Sequence, residues 1–192
     1  NSQFDIITEK YIESMNLKTI DKEKIFTAIK FSAIVDYQLL TKINKNQEIF
    51  ENIFKNSQND IEFYASKKLL SKNLKNQFNF LTETESWSLI ELCVLNINNK
   101  KEDKLSLLEW RLGINCYNIN QKFINNPLYI KILNYTTSDL EELALFKNRL
   151  DRIINKAIVT NSYLLTDAEQ SFLQLAIANI TEQLMYIHNN NK

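Results

Sequence analysis

The chain has 192 residues, 23 basic and 23 acidic side chains, and only one glycine and one proline. Because these charges cancel, no net field attracts the chain to nucleic acid or to an anionic membrane, which argues against a stand-alone DNA-binding domain. Average proteins contain about 7% glycine and about 5% proline, and sheet-rich folds use both at turns, so their shortage favours helices joined by short polar loops.

Length and apolar patterning predict one helical domain over residues 1–192. Single domains commonly contain roughly 100 to 200 residues. No apolar run approaches the about 20 residues of a membrane-spanning helix, so we expect a soluble chain without a membrane partner. The first residue is Asn1 rather than methionine. We therefore expect that a leader or another domain precedes it in the full protein.

Apolar residues at three- and four-residue spacing predict a series of helices in the first half of the chain. They cover residues 4–15, 21–43, 46–54 and 60–70, and a further helical face carries Leu74, Phe78 and Leu81. Asp21 is expected to cap the second helix. A strand over Phe31–Tyr37 is the alternative there, but a length of about 20 residues without a turn signal favours helix.

The central helix runs from Ser86 to Ile97, and Thr82 with Glu85 fits a capping box ahead of it. Its apolar stripe, which we expect to be buried, comprises Trp87, Ile90, Val94 and Ile97. Glu91 follows Trp87 by four residues and shares its face, so it needs a partner inside the domain. The expected partners are Arg111 or helix-terminal amides. We favour this structural role for Glu91 over that of a buried general acid.

The second half of the chain carries four helix-start signals. Each of them precedes an apolar helical pattern: Asp103, Asn126 with Pro127, Ser138 with Glu141, and Thr166 with Glu169. A weaker helical segment is expected over residues 114–124. Gly113 is expected to end one helix in the left-handed conformation. The fold class predicted from these elements is all-α, an array or bundle of about ten helices that resembles a degenerate tetratricopeptide-like repeat.

The sequence offers little for catalysis. The single histidine, His188, lies near the chain end, and no glycine-rich phosphate loop is present. We therefore predict no enzyme activity, no catalytic residues, no metal site and no cofactor. Cys93 and Cys116 are too few for a disulfide framework or a metal cluster, and we interpret both as reduced packing residues.

Aromatic and asparagine side chains offer a possible binding surface. Trp87, Trp110 and several tyrosines could line a groove for a peptide, although aromatic residues at helical spacing are more often core residues. Asn115 and its neighbouring asparagines lie close in sequence to Arg111, and their amides can bond an extended peptide backbone. The alternative is that asparagine is abundant throughout the chain for reasons of coding bias.

The run LKNQFNFLTETESWSLIELCVLNI resembles the C-terminal regulatory domain of the Rgg/MutR family of transcriptional regulators. The similarity lies in an apolar helix end, a short acidic connector, Trp87, the Glu91–Leu92 pair and the position of Asn96. The aromatic residue that the family places between the tryptophan and the glutamate is absent. Upstream, KIFTAIKFSAIVDYQLL is similar in spacing to the helix before this motif, so the resemblance covers residues 24–97.

The resemblance implies a helical domain that binds a short signalling peptide, forms a homodimer and reaches DNA only through a separate N-terminal helix-turn-helix domain. The expected peptide-binding residues are Trp87, Glu91, Asn96, Arg111 and Asn115. The dimer contact is expected either on the surface opposite the peptide-binding face or on the last helix, through Phe172, Ala176, Ile180 and Leu184. The alternative function is a secreted or surface-anchored helical adhesin or lipoprotein domain.

Overall fold

The computed structural model describes residues 2–16, 25–57, 64–96, 104–114, 116–117 and 126–189. Over these residues the chain is mostly helical, as predicted. The α-helices are α1 Gln3–Ser14, α2 Tyr37–Lys55, α3 Lys67–Gln77, α4 Glu83–Asn96, α5 Leu107–Ile114, α6 Pro127–Leu133, α7 Thr137–Thr160 and α8 Gln174–Asn189. None of the helices in these ranges combines the length and the apolar character that crossing a membrane requires. The finer prediction, a tetratricopeptide-like repeat of about ten helices, stays a prediction.

In the described part of the chain, four short strands accompany the helices. Strands β1 Phe26–Ile29 and β4 Tyr163–Thr166 pair in parallel, and strands β2 Tyr64–Ser66 and β3 Lys104–Ser106 pair antiparallel. Short 3-10 helices cover Phe31–Ala33 and Ser171–Leu173. These strands were not predicted, because the low glycine and proline content of the sequence indicated helices alone.

The chain divides into two compact units. The first contains Asn1–Asn44 and Tyr135–Thr181, and the second contains Lys45–Asn134 and Glu182–Lys192. Helices α2 and α8 therefore contribute residues to both units. The single domain over residues 1–192 stays a prediction.

In the first unit, Arg149 on α7 connects segments that are distant in sequence. Its side chain is 3% exposed, and its Nε donates to Asp5 Oδ1 on α1 at 3.0 Å. Its Nη1 donates to the Ile34 carbonyl at 3.0 Å and to Glu142 Oε1 at 2.9 Å. The buried guanidinium therefore has hydrogen-bond acceptors at both Nε and Nη1, which offset the cost of burying its charge.

The predicted helix over residues 21–43 is confirmed from Tyr37 onward, but it is wrong for residues 26–36. Phe26–Ile29 forms β1, in which Thr27 and Ile29 are buried while Phe26 is exposed and stacks on Tyr163 of β4. Helix α2 begins only after Asp36, whose Oδ1 accepts hydrogen bonds from the amides of Gln38 and Leu39. Asp36 therefore caps the start of α2, and the apolar residues on both sides of it made this helix start hard to predict from the sequence. The expected cap, Asp21, lies outside the described residues.

The break expected at Asn44–Asn46 is also wrong, because α2 continues through it to Lys55. Asn44 Oδ1 accepts a hydrogen bond from the amide of Ala176 at 3.0 Å. Asn46 Nδ2 donates to the carbonyl of Leu133 at 2.9 Å. Both amides form tertiary hydrogen bonds, so they do not compete with the helix backbone.

In the second unit, α4 packs against both α3 and α5. Gly113 lies inside α5 and has no positive φ angle, so the predicted left-handed cap is wrong. A Cβ atom at this position would lie 2.7 Å from the carbonyl oxygen of Cys93 on α4. The glycine is therefore required by the close approach of two helices rather than by a turn.

Several helix starts were predicted from local signals. The Thr82–Glu85 capping box forms, and the side chain of Asn126 caps the helix that begins at Pro127. The start at Ser138 is displaced, because Thr136 and Asp139 form the capping box of α7. The start at Thr166 is wrong: this residue ends β4, and α8 begins at Gln174. For the helix predicted over 60–70, residues 64–66 form β2 and α3 begins at Lys67.

The position predicted for a dimer contact on the last helix is wrong, while the alternative position on the opposite surface stays a prediction. Ala176 and Ile180 have 0% exposed surface within the chain itself, so that face of α8 is already covered. Phe172 is exposed, but it belongs to the 3-10 helix that precedes α8. Dimerisation itself stays a prediction.

Candidate functional site

Arg111 on α5 lies between carboxylates from two other helices of the second unit. Its Nε donates to Glu51 Oε1 on α2 at 2.7 Å, and its Nη1 donates to Glu182 Oε1 on α8 at 2.8 Å. Gln47, one helical turn before Glu51, donates from Nε2 to the same oxygen at 3.3 Å. We call Gln47, Glu51, Arg111 and Glu182 the Arg111 cluster.

The Arg111 cluster extends from the interior to the surface. Gln47 is fully buried, and the side chain of Glu51 is only 6% exposed. The side chain of Arg111 is 17% exposed and that of Glu182 is 33% exposed. Glu182 is therefore the member of the cluster that lies nearest to solvent.

Neighbouring apolar contacts fix the position of Arg111. The preceding residue, Trp110, is buried against the rings of Phe50 and Phe54 on α2. Its indole Nε1 donates to the carbonyl of Phe50 at 2.8 Å. With Trp110 held in this way, the next side chain on α5 meets Glu51, the next residue on α2.

Two acceptor atoms of the cluster are enclosed and unused. Gln47 Oε1 and Glu182 Oε2 are buried atoms with no hydrogen-bond partner among the described residues. An unsatisfied buried polar group commonly costs about 1–3 kcal/mol. Two carboxylates also face a single guanidinium, which leaves one negative charge in excess. The cluster is therefore able to accept further N–H donors.

The charges of the cluster act on Arg111. Burial lowers the pKa of its guanidinium, but the hydrogen bonds and negative charges of Glu51 and Glu182 outweigh burial and raise the pKa above its ordinary value. Arg111 is thus a permanent cation between the two carboxylates. Within the described ranges, no group of three or more His, Cys, Asp or Glu side chains is arranged to hold a metal ion.

Trp87 lies on the surface, so its predicted burial is wrong. Its exposed fraction is 42%. The buried face of α4 instead includes the preceding residue, Ser86. The Oγ atom of Ser86 lies 2.9 Å from Ser71 Oγ on α3. Two small serines allow α3 and α4 to approach closely, which excludes the indole from their contact. The residues of α4 that are buried are Ser86, Leu89, Ile90, Cys93 and Val94.

Glu91 does not contact Arg111. Its Oε1 lies 3.8 Å from Nζ of Lys67 on α3, and its side chain is 39% exposed. Lys67 is the more buried partner, with a side chain that is 10% exposed. The predicted partners of Glu91 are therefore wrong, although an ion pair is present.

The other two predicted peptide-binding residues are not placed by the structure. Asn96 is the last residue of α4, but its side chain lies outside the described part of the chain, as does all of Asn115. Of the predicted site, the structure thus describes Trp87, Glu91 and Arg111. It joins Arg111 to residues that the sequence analysis did not select.

The chain matches no family model, no curated protein and no solved structure. The resemblance to the Rgg/MutR family therefore stays a prediction.

Three members of the Arg111 cluster were not predicted from the sequence: Gln47, Glu51 and Glu182. A signal for the first two was present, because they interrupt the apolar face of α2 that includes Ile43 and Phe50. Polar residues at core positions of an amphipathic helix usually have a partner. No comparable signal identified Arg111 as that partner, since it lies 60 residues further along the chain.

Proposed function

We propose that this chain is the ligand-sensing and dimerisation domain of a bacterial transcriptional regulator and that its ligand is a short peptide. The observation that carries the proposal is the Arg111 cluster, with its two unused buried acceptors. Peptides supply N–H donors along the backbone and at the amino terminus, and these are the groups that such acceptors bind. Binding rather than catalysis is the proposed role, and no cofactor is part of it.

The surface of α4 adds apolar contact area in the same unit. Trp87 is 42% exposed, and the Lys67–Glu91 ion pair lies one turn further along the helix. Tryptophan and arginine are enriched among the residues that dominate binding energy at protein interfaces. We therefore retain Trp87, Glu91 and Arg111 as candidate peptide contacts, together with Asn96 and Asn115.

The remaining elements of the proposal follow from the resemblance of residues 24–97 to the Rgg/MutR regulatory domain. We propose a cytoplasmic homodimer whose contact with DNA comes from a helix-turn-helix domain elsewhere in the full protein, because regulators that read paired half-sites act as dimers. The packing of α4 against both α3 and α5 is compatible with a degenerate helical-repeat array.

Titration calorimetry with short apolar peptides encoded beside the gene tests the proposal. We expect a dissociation constant of about 1 μM or tighter, and Arg111→Ala should weaken binding by about 1 kcal/mol or more. The matched control is Arg152→Ala, which removes an arginine on α7 that is paired with Glu9 in the other unit. If none of these peptides binds, the sensing role is excluded, and the adhesin or lipoprotein alternative replaces it.

A further inference from the structure

The Arg111 cluster contains two buried acceptor atoms that receive no hydrogen bond among the described residues. Glu51 Oε1 receives hydrogen bonds from both Arg111 and Gln47, and Glu182 Oε1 receives one from Arg111. Glu182 Oε2 and Gln47 Oε1 receive none among the described residues. A donor that also carries a positive charge would satisfy an acceptor and balance the excess negative charge at once.

The burial of the cluster favours a ligand rather than a salt bridge that is merely incomplete. Gln47 is fully buried, and its carboxamide is directed at Glu51 through Nε2, so its Oε1 lies at the same cluster. Glu182 is the most exposed member, and a third of its side chain is accessible. A cationic group can therefore approach Glu182 from solvent while the inner part of the cluster stays enclosed.

We propose that the Arg111 cluster binds a primary ammonium group, supplied by the amino terminus of a peptide. An ammonium group has three donors, no acceptor and a compact positive charge, which fits an enclosed carboxylate oxygen beside an existing guanidinium. The assignment to a peptide rests on the function proposed above. The ammonium chemistry rests on the cluster alone.

Two small probes test the ammonium site on the unaltered full chain. L-phenylalaninamide carries a free ammonium group, and N-acetyl-L-phenylalaninamide has the same ring and carboxamide without that charge. We expect the first to shift the Arg111 Nε–H signal in nuclear magnetic resonance spectra, with a dissociation constant of about 1 mM or tighter. The acetylated probe should cause no saturable shift. Equal binding of both probes, or no binding of either, overturns the proposal.

Substitutions in the second unit locate the site. Glu182→Gln keeps the shape of the side chain and removes its charge, and it should weaken binding of L-phenylalaninamide by at least about tenfold. Glu83→Gln is the matched control, because Glu83 lies on α4 with a side chain that is 87% exposed and pairs with Lys75. The control should bind the probe as the unaltered chain does. Equal losses in both variants contradict the site. The probe pair decides the question if Glu182→Gln does not fold.

Peptides separate this inference from the proposed function. If encoded peptides bind equally well with free and acetylated amino termini, the sensing role stands and the ammonium site is overturned. If L-phenylalaninamide binds at the cluster and no encoded peptide does, the ammonium site stands and the sensing role falls. Putrescine, a free diamine, identifies the source of the group: tighter binding of putrescine than of L-phenylalaninamide overturns the assignment to a peptide terminus.

Discussion

Trp110 donates a hydrogen bond from its indole to the carbonyl of Phe50 at 2.8 Å, and the rings of these two residues meet edge to face. This contact joins α5 to α2, and the Arg111–Glu51 pair follows one residue later on both helices. The position of the charged cluster thus depends on an apolar neighbour.

The two tryptophans of the second unit should differ widely in their contribution to stability. Trp110 is 1% exposed and Trp87 is 42% exposed. Trp110→Ala should lower the free energy of unfolding by about 3–5 kcal/mol, as truncation of a large core residue does. Trp87→Ala should change it by about 0.5 kcal/mol or less, as surface substitutions usually do. Urea denaturation of both variants provides the measurement, and similar losses would contradict the assigned burial.

Gly113→Ala should destabilise the chain. Alanine in place of glycine inside a helix ordinarily stabilises it by about 1 kcal/mol. Here the new Cβ would lie 2.7 Å from a backbone oxygen of Cys93, so α4 and α5 would have to separate. We expect the free energy of unfolding to fall by about 1–3 kcal/mol, as it does in overpacked cores. Ser88→Ala, at an exposed position of α4, is the control for thermal unfolding. A raised melting temperature for Gly113→Ala would refute the close contact.

The two cysteines should be unreactive in the folded chain. Both thiols are buried, and burial raises the pKa of Cys93 to about 12. Burial and the neighbouring Cys93 raise the pKa of Cys116 well above its ordinary value. Because the thiolate is the reacting form, a disulfide reagent at pH 8 should modify both thiols only after denaturation. Rapid modification of the native chain would show that either thiol is accessible.

The raised thiol pKa values also predict a loss of stability in alkaline solution. The neutral thiols favour the folded state, so their contribution is complete below the ordinary cysteine pKa of about 8.5. It is lost as the pH rises toward the folded value of about 12 for Cys93. Cys93→Ala should therefore show a weaker decline in the free energy of unfolding between pH 8 and pH 10 than the unaltered chain. The decline that the thiol causes should approach about 1.4 kcal/mol for each pH unit above its unfolded pKa. An identical decline would argue against a buried thiol.

Asp139 should make folding of the first unit sensitive to acid. Burial raises the pKa of its carboxyl, but the hydrogen bonds from Lys42 and Thr136 outweigh burial and hold the pKa below its ordinary value. Its stabilising contribution is therefore present above the unfolded pKa of about 3.9 and is lost as the pH falls through the folded value. Asp139→Asn should destabilise the chain more at pH 6 than at pH 2.5 in urea denaturation. Asp151→Asn, on the same helix, is the comparison, and an equal pH dependence for both would contradict the role of Asp139.

Some local signals were sufficient to predict a helix start, whereas the contacts between helices could not be predicted from the sequence. Thr82 with Glu85 and Asn126 with Pro127 act within one helical turn, and both starts were predicted correctly. Trp87 and Ser86 differ by one position, and periodicity alone did not decide which of them faces α3. That choice depends on Ser71, which lies on another helix.

The candidate site shows the same dependence at longer range. Arg111 was selected from the sequence, but its acceptors lie 60 residues before it and 71 residues after it. Glu91 was the nearer carboxylate in sequence, and it pairs with Lys67 instead. Only the packing of α2, α5 and α8 brings Glu51 and Glu182 to the guanidinium.

The contact between Asp5 and Arg149 has a consequence for synthesis on the ribosome. The two residues are 144 positions apart, so α1 leaves the ribosome long before the arginine that binds it has been made. At about 5–20 residues per second, that interval lasts roughly 7 to 30 seconds. Throughout this time Phe4, which packs on the same guanidinium in the folded chain, is without its partner. Helix α1 therefore reaches its contact with α7 only after Arg149 has been made, and a nascent chain stalled before Arg149 leaves α1 accessible to chaperones.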